Sequence, residues 1–288
     1  MHSAPELASQ IETLRSPPQV YLRLRTLLEQ ADVALDELAR LITTDPALTA
    51  SVLRMANSAI YGHRGKIDSV LRGLQLLGVE RVHGLVLAAA LEASFATIRP
   101  PAFDVQRFWR TSVRCALLCR ALTRAQREMA EQMFIAGLLA DIGHLVMCAT
   151  VPQLARQARV EALTRGEPLH LAERRIVGCD FAEVGAALLS QWGVPQQYST
   201  LIGTQTLPRL AGEHVLAASA LELARCVAEA CEEEGLDGDD FAERLLACVV
   251  RSELAWPEGG QEAMRSLCEE LEPDVQAWLS IFSLAQAA

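Results

Sequence analysis

The chain has 288 residues, of which 51% are hydrophobic and 5% aromatic, and its formal net charge is −10. This composition supplies enough apolar side chains for a packed interior, and the dominance of Leu and Ala favours helices over sheets. Residues 1–128 carry 16 Arg or Lys against 12 Asp or Glu, whereas residues 129–288 carry 10 against 24. Such an acidic balance lacks the electrostatic signature of a nucleic-acid-binding protein, so we expect no nucleic-acid partner.

The sequence also argues against a membrane or secreted protein. The longest apolar run, Leu85 to Leu91, is far shorter than the roughly 20 residues of a membrane helix. The N-terminus begins MHSAPE and lacks the basic and apolar regions of a signal peptide. The eight cysteines form no C-x-x-C pair and lie in Leu- and Ala-rich segments, which indicates small buried hydrophobes rather than a zinc site. We therefore expect a cytoplasmic protein without membrane insertion.

The first 99 residues predict a helical lobe. Helices are expected at residues 5–15, 19–31, 35–43, 46–61, 70–77 and 79–97. Pro17 and Pro18 separate the first two, because proline interrupts a helix interior. We place the hinge to a second lobe at Arg99-Pro100-Pro101.

The stretch from Asp45 to Gly62 is the most informative of this lobe. Asp45 suits an N-cap, Pro46 the first helical position and Gly62 a left-handed C-terminus. One face of the helix is apolar and should be buried: Leu48, Val52, Met55, Ala56 and Ala59. The opposite face gathers four polar side chains: Arg54, Asn57, Ser58 and Tyr61. They form either a partner-binding surface or a structural network that fastens the next loop.

The rest of the chain also predicts only helices. They are expected at residues 104–127, 128–148, 152–165, 168–177, 181–192, 196–206 and 213–234, and then at 241–252 and 262–280. Asp180 and Glu183 have the spacing of a capping box. We divide the chain into an N-terminal lobe (1–99), a second lobe (100–234) and a C-terminal helical appendage (235–288). The predicted fold class is all-α.

The segment DPALTASVLRMANSAIYG at residues 45–62 resembles the centre of the HDOD domain. That domain is an all-helical bacterial signalling module related to the HD phosphohydrolases, and the similarity extends from about Leu14 to about Ala230. The resemblance implies two helical lobes and a role in signal transduction, with partners such as cyclic-di-GMP enzymes or histidine kinases.

A second segment, GLLADIGHL at residues 137–145, is similar to the motif that gives the HD superfamily its name. In active HD enzymes, the resemblance implies, several His and Asp side chains hold one or two metals that activate water. The corresponding positions of this chain are Thr111, Ala140, Asp141, Phe181, Gln205, Thr206 and Arg225. Asp141 is thus the one ligand that survives.

A single carboxylate cannot hold a catalytic divalent ion. We therefore expect no metal, no cofactor and no catalytic residue, and we expect Asp141 either to pair with Arg225 or to cap a helix. His144, three residues after Asp141, could complete half a site, but a lone His on an apolar helix is more often structural.

Three functions remain open on this basis. We favour a non-catalytic signalling adaptor that acts through protein–protein interaction. A second possibility is a ligand sensor in which the eroded HD pocket binds a nucleotide or another anion. The third is a relic metal-dependent phosphohydrolase.

Overall fold

A computed structural model describes residues 1–10, 19–28, 34–57, 66–95, 103–233, 235, 241 and 259–282. Over these ranges the chain is all-α, as predicted, with no strand. The helices are α1 (Ala4–Gln10), α2 (Gln19–Leu28), α3 (Leu35–Thr43), α4 (Pro46–Ala56), α5 (Val70–Leu77), α6 (Val79–Phe95), α7 (Val105–Leu122), α8 (Arg127–Leu139), α9 (Ile142–Thr150), α10 (Pro152–Arg165), α11 (Leu169–Ile176), α12 (Phe181–Gln191), α13 (Gln196–Thr204), α14 (Val215–Glu233) and α15 (Gly260–Phe282). Two short 3₁₀ turns, Pro208–Leu210 and Gly212–His214, precede α14.

Local residues explain where several helices begin or end. Asp104 caps α7, because its carboxylate accepts a hydrogen bond of 2.9 Å from the backbone N–H of Arg107. The capping box predicted for α12 is confirmed: Asp180 and Glu183 each accept a 2.9 Å bond from the other's backbone N–H. Helix α10 ends at Gly166, whose φ of 61° lies in the left-handed region.

The single helix predicted for residues 128–148 is wrong, because the chain breaks between α8 and α9. At the break Ala140 N–H donates to Gly137 O and His144 N–H to Asp141 O, which are three-residue steps instead of four. The carbonyl of Ala140 accepts a bond of 2.8 Å from the buried side chain of Gln205. A tertiary hydrogen bond thus replaces a helical one, which the local sequence does not reveal.

The structure divides into two compact units, of which the first contains residues 1–16 and 98–272. Its central helix is α7, which is buried on nearly all sides and packs against α8 and α14. Helix α1 packs on α9 and α12, and His2 N–H donates to Val177 O at 2.7 Å. The N-terminal segment therefore lies in this unit, whereas the sequence analysis places it in the lobe of residues 1–99.

The second unit contains residues 17–97 and 273–288. The apolar face predicted for α4 is confirmed for Leu48, Val52, Met55 and Ala56, which are all buried; Ala59 lies outside the described residues. Helix α4 packs against α3, α5 and α6. The division also assigns residues 260–272 of α15 to the first unit and 273–282 to this one, so α15 is not a separate appendage.

One stretch within the described ranges, Met129–Thr150, is long and apolar enough to span a membrane by length and composition. In the fold, 72% of its most apolar window is buried among other helices. Such burial is expected of core helices, and the stretch is interrupted by the break between α8 and α9.

Two glycines allow the helices of the first unit to approach closely. A Cβ atom at Gly143 of α9 would lie 1.8 Å from the carbonyl oxygen of Phe181 and 2.9 Å from the backbone N of Gly185 in α12. A Cβ at Gly137 of α8 would lie 2.7 Å from the Cα of Ala116 in α7. Both contacts are with backbone atoms, which cannot move aside as a flexible side chain would.

We expect Gly143→Ala to lower the free energy of unfolding by about 3 kcal/mol or more, because α9 must move away from α12. Urea unfolding followed by circular dichroism measures the loss. Gly203→Ala in α13 is the control: its Cβ would meet only the methyl group of Ala186 at 3.1 Å, and the better helix propensity of Ala offsets that contact. Equal effects of the two substitutions would contradict the proposed backbone contact.

Candidate functional site

A cavity of about 520 Å³ lies within the first unit. Its buried end is formed by Thr111, Asp141 and Arg225, and His144 also lines it. Apolar walls come from Phe103, Phe108 and Leu169, and the exposed rim carries Arg156 and Arg159 of α10. A cavity of this size suits a small molecule.

The buried end of the cavity contains a loose ion pair. The guanidinium Nη1 of Arg225 lies 4.0 Å from Asp141 Oδ1 and 3.3 Å from Glu229 Oε2. Asp141 occupies the N-cap position of α9, but its side chain accepts no capping hydrogen bond. Of the two roles expected for Asp141, the structure therefore shows the ion pair, and at a distance too long for a hydrogen bond.

Behind this pair lies a stack of His144 on Phe181. The two ring centroids are 4.1 Å apart and the planes are inclined by 14°. His144 Nδ1 lies 3.1 Å from Glu173 Oε1, and the other carboxylate oxygen of Glu173 accepts a 3.0 Å bond from Phe181 N–H. The guanidinium carbon of Arg225 also lies over the Phe181 ring, 5.2 Å from its centroid. The Phe181 ring thus contacts both an imidazole and a guanidinium, and its face favours the positive charge of the guanidinium.

Burial and neighbouring charges shift the titration of these groups. Burial raises the pKa of Asp141 above its usual range, and the attraction of Arg225 and His144 only partly offsets this effect. Burial alone would lower the pKa of His144, but the Glu173 carboxylate raises it above its ordinary value. The carboxylate of Glu173, 3.1 Å from Nδ1, therefore favours the imidazolium form of His144.

These residues do not fit the metal that active HD enzymes bind. A divalent ion requires several carboxylates and neutral imidazoles, but Glu173 favours the protonated form of His144, and Arg225 adds a fixed positive charge beside Asp141. No group of three His, Cys, Asp or Glu side chains in the described ranges is arranged to hold a metal. Phe181 contributes a ring and no ligand atom.

The structure brings together four of the seven residues predicted for the eroded pocket. Thr111, Asp141 and Arg225 line the cavity, and Phe181 contacts Arg225 and His144 just behind it. Ala140 and Gln205 are joined by the bond at the helix break and support Asp141 from outside the cavity. Thr206 is buried and does not line the cavity.

Three residues of the site escaped the sequence analysis. Glu173 lies in α11 and is 2% exposed, but nothing in the segment LAERRI distinguishes it from a solvated helix charge. Arg156 and Arg159 are three residues apart on α10 and therefore share one helix face, a spacing that could have been noticed. Neither arginine has a partner within the described part of the chain.

The polar face of α4 lies in the second unit and is largely engaged within it. The Asn57 amide donates to the carbonyls of Leu53 (2.7 Å) and Ile67 (2.8 Å) and accepts from Ile67 N–H at 2.8 Å. Arg54 donates to the carbonyl of Ser280 in α15. Both residues line a surface depression with Lys66 and Asp68. Ser58 and Tyr61 lie outside the described residues, so partner binding at this face stays a prediction.

Over the described residues the chain is an all-α protein, and its cavity contains Asp141, the carboxylate of the segment GLLADIGHL. The family follows from the sequence, because the HDOD domain matches residues 14–208. The chain belongs to the HDOD family.

Known proteins resemble this chain at low identity. An uncharacterized protein of Treponema pallidum (strain Nichols) is 23% identical over 195 residues, which are 67% of this chain and 37% of that protein. A crystal structure from Shewanella amazonensis SB2B, described as a candidate phosphohydrolase, gives a TM-score of 0.76 at 22% identity and covers 98% of this chain and 99% of its own. An HDOD domain protein of unknown function from Geobacter sulfurreducens gives 0.73 at 22% identity, with coverages of 98% and 96%. These similarities show the fold alone.

The buried ion pair predicts strong coupling between Asp141 and Arg225. Arg225→Met leaves a buried carboxylate without its cation and should cost about 3–5 kcal/mol of unfolding free energy. The double variant Asp141→Asn/Arg225→Met should recover about 1–3 kcal/mol of that loss. Urea unfolding of the two single variants and the double variant measures the coupling. Arg107→Met is the control, because it removes only a partly exposed pair with Glu233 and should cost less than about 1 kcal/mol. Strict additivity of the two substitutions would refute the coupling.

Proposed function

We propose that this protein is a non-catalytic bacterial signalling protein that regulates other proteins through protein–protein interaction in the cytoplasm. One observation carries the proposal: the guanidinium of Arg225 lies 4.0 Å from Asp141, the remaining carboxylate of the HD motif, and places a fixed positive charge where the resemblance implies a metal. A fixed guanidinium at this place disfavours binding of the metal ion that activates water in the active enzymes.

The second argument is how the cavity is built. The groups at its buried end are engaged with one another as acid and base pairs: His144 with Glu173, and Arg225 with Glu229 and Asp141. Pairs of this kind stabilise a binding site or a fold. An adaptor requires only such a stable scaffold and an accessible surface.

The proposed partner is a signalling enzyme, such as a cyclic-di-GMP enzyme or a histidine kinase, which the HDOD resemblance suggests. The polar face of α4 is the proposed docking surface. Its described residues Arg54 and Asn57 line a depression whose other polar members are Lys66, Asp68 and Ser280. A depression of mixed charge suits a polar protein surface better than an apolar peptide.

A turnover assay tests whether the protein is non-catalytic. With Mg²⁺, Mn²⁺ or Fe²⁺, the purified chain should release no nitrophenol from p-nitrophenyl phosphate or bis(p-nitrophenyl) phosphate above a protein-free blank, because Arg225 disfavours a second positive charge beside Asp141. Absorbance at alkaline pH follows the release. Asp141→Ala is the matched control and should be indistinguishable from the wild type. Metal-dependent turnover that Asp141→Ala abolishes would make the protein an enzyme.

A binding measurement tests whether the polar face of α4 is the docking surface. A signalling enzyme captured from the native cytoplasm and then purified should bind the wild type, and Arg54→Ala/Tyr61→Ala should weaken that binding at least tenfold in titration calorimetry. Arg72→Ala, an exposed change on the neighbouring helix α5, should leave the affinity unchanged.

Thermal melting separates a docking role from a structural one. Because Arg54 also donates to Ser280 O, a small decrease of the melting temperature is expected in the double variant. A large decrease, with unchanged affinity of the remaining folded protein, would show that the polar face is structural.

A further inference from the structure

We propose that the cavity of the first unit binds a small organic phosphate monoester, with the phosphate at Arg156 and Arg159 and the organic part between Phe103, Phe108 and Leu169. The proposal deepens the proposed function, because it adds a ligand that the protein binds without cleaving. Only the statement that the ligand is not cleaved depends on the proposed non-catalytic function.

The rim supplies the anion-binding groups. Arg156 and Arg159 lie one helical turn apart on α10, are exposed, and have no acidic partner within the described part of the chain. Other arginines of the cavity are paired: Arg107 with Glu233 at 2.8 Å, and Arg225 with Glu229 at 3.3 Å. The other acidic residues of the lining are Asp141, which lies 4.0 Å from Arg225, and Asp104, which caps α7. The rim therefore carries two uncompensated positive charges in a protein whose net charge is −10.

Two guanidinium groups on one helix face match a dianion better than a monoanion. Each presents several N–H donors in a planar fork, a geometry that suits phosphate oxygens. A phosphate monoester has about two charges near neutral pH and can satisfy both groups at once. A carboxylate neutralises only one.

The walls select an organic body. Phe103 and Phe108 lie with ring centroids 5.7 Å apart, inclined by 49°, and line the cavity with Leu169 and Pro152. An aromatic or apolar group placed there removes apolar surface from water on both sides. Inorganic phosphate would leave these walls uncovered and should bind more weakly.

The buried end of the cavity carries polar atoms that the described residues leave without a hydrogen bond. Asp141 Oδ1 and Arg225 Nε are both inaccessible and have no hydrogen-bond partner in the described ranges. Buried polar atoms without a partner are costly, and ligands commonly satisfy them. Both atoms belong to residues that line the cavity, so a polar group of a ligand at this end would lie beside Asp141 and Arg225.

The test is titration calorimetry of the full chain with phenyl phosphate, inorganic phosphate, benzoate and benzyl alcohol. Phenyl phosphate should bind with one-to-one stoichiometry and at least tenfold more tightly than any of the other three. Equal affinity for inorganic phosphate would overturn the organic part of the proposal, and equal affinity for benzoate would overturn its dianionic part.

Two charge-matched double variants locate the site. Arg156→Gln/Arg159→Gln should weaken phenyl phosphate binding at least tenfold. Arg124→Gln/Arg209→Gln removes the same charge from exposed positions outside the cavity and should change the affinity less than twofold. Equal weakening by both variants would show general charge attraction and overturn the site. Because the four arginines are exposed, thermal melting should confirm that both variants are folded.

Phenol release during the same titration separates the two proposals. Binding without release supports both. No binding and no release removes the phosphate site and leaves the adaptor proposal standing. Binding with metal-dependent release removes the non-catalytic function, while the arginine dependence still tests the site.

Discussion

The contact between the backbones of α9 and α12 is the constraint on which the site depends. Gly143 lies so close to Phe181 and Gly185 that no side chain fits between the helices. This closeness places the ring of His144 on that of Phe181 and brings Glu173 within reach of both. Interiors are packed densely enough that a small displacement here would separate the whole group. The close packing of α9 on α12 therefore fixes the positions of these side chains, and their charges act only within that geometry.

The positive charge of this site comes from the protein's own side chains. Arg225 contributes a guanidinium beside Asp141, and Glu173 favours the imidazolium form of His144. A metal bound by several ligands can be lost or replaced, whereas a guanidinium is permanent. Burial nevertheless raises the pKa of Asp141, because the attraction of Arg225 and His144 only partly offsets it.

The sequence predicted the all-α fold, the capping box at Asp180 and the buried face of α4, because each depends on neighbours three or four residues apart. It missed the break at Ala140 and the role of Glu173, because each depends on residues distant in the chain. Gln205 bonds to Ala140 across 65 residues. The Asp141–Arg225 pair was predictable because the family resemblance placed both residues at one pocket, and local patterns alone did not connect them.

The course of the chain through the two units has a consequence for synthesis. The first unit contains residues 1–16 and then residues 98–272. The intervening residues, 17–97, belong to the second unit. Helix α1 thus emerges from the ribosome long before α9 and α12, its packing partners, exist. The second unit is complete only after residues 273–288 have been synthesised. Neither unit can complete its core until most of the chain has been made, so the apolar residues Leu7 and Ala8 of α1 lack their packing partners during much of synthesis.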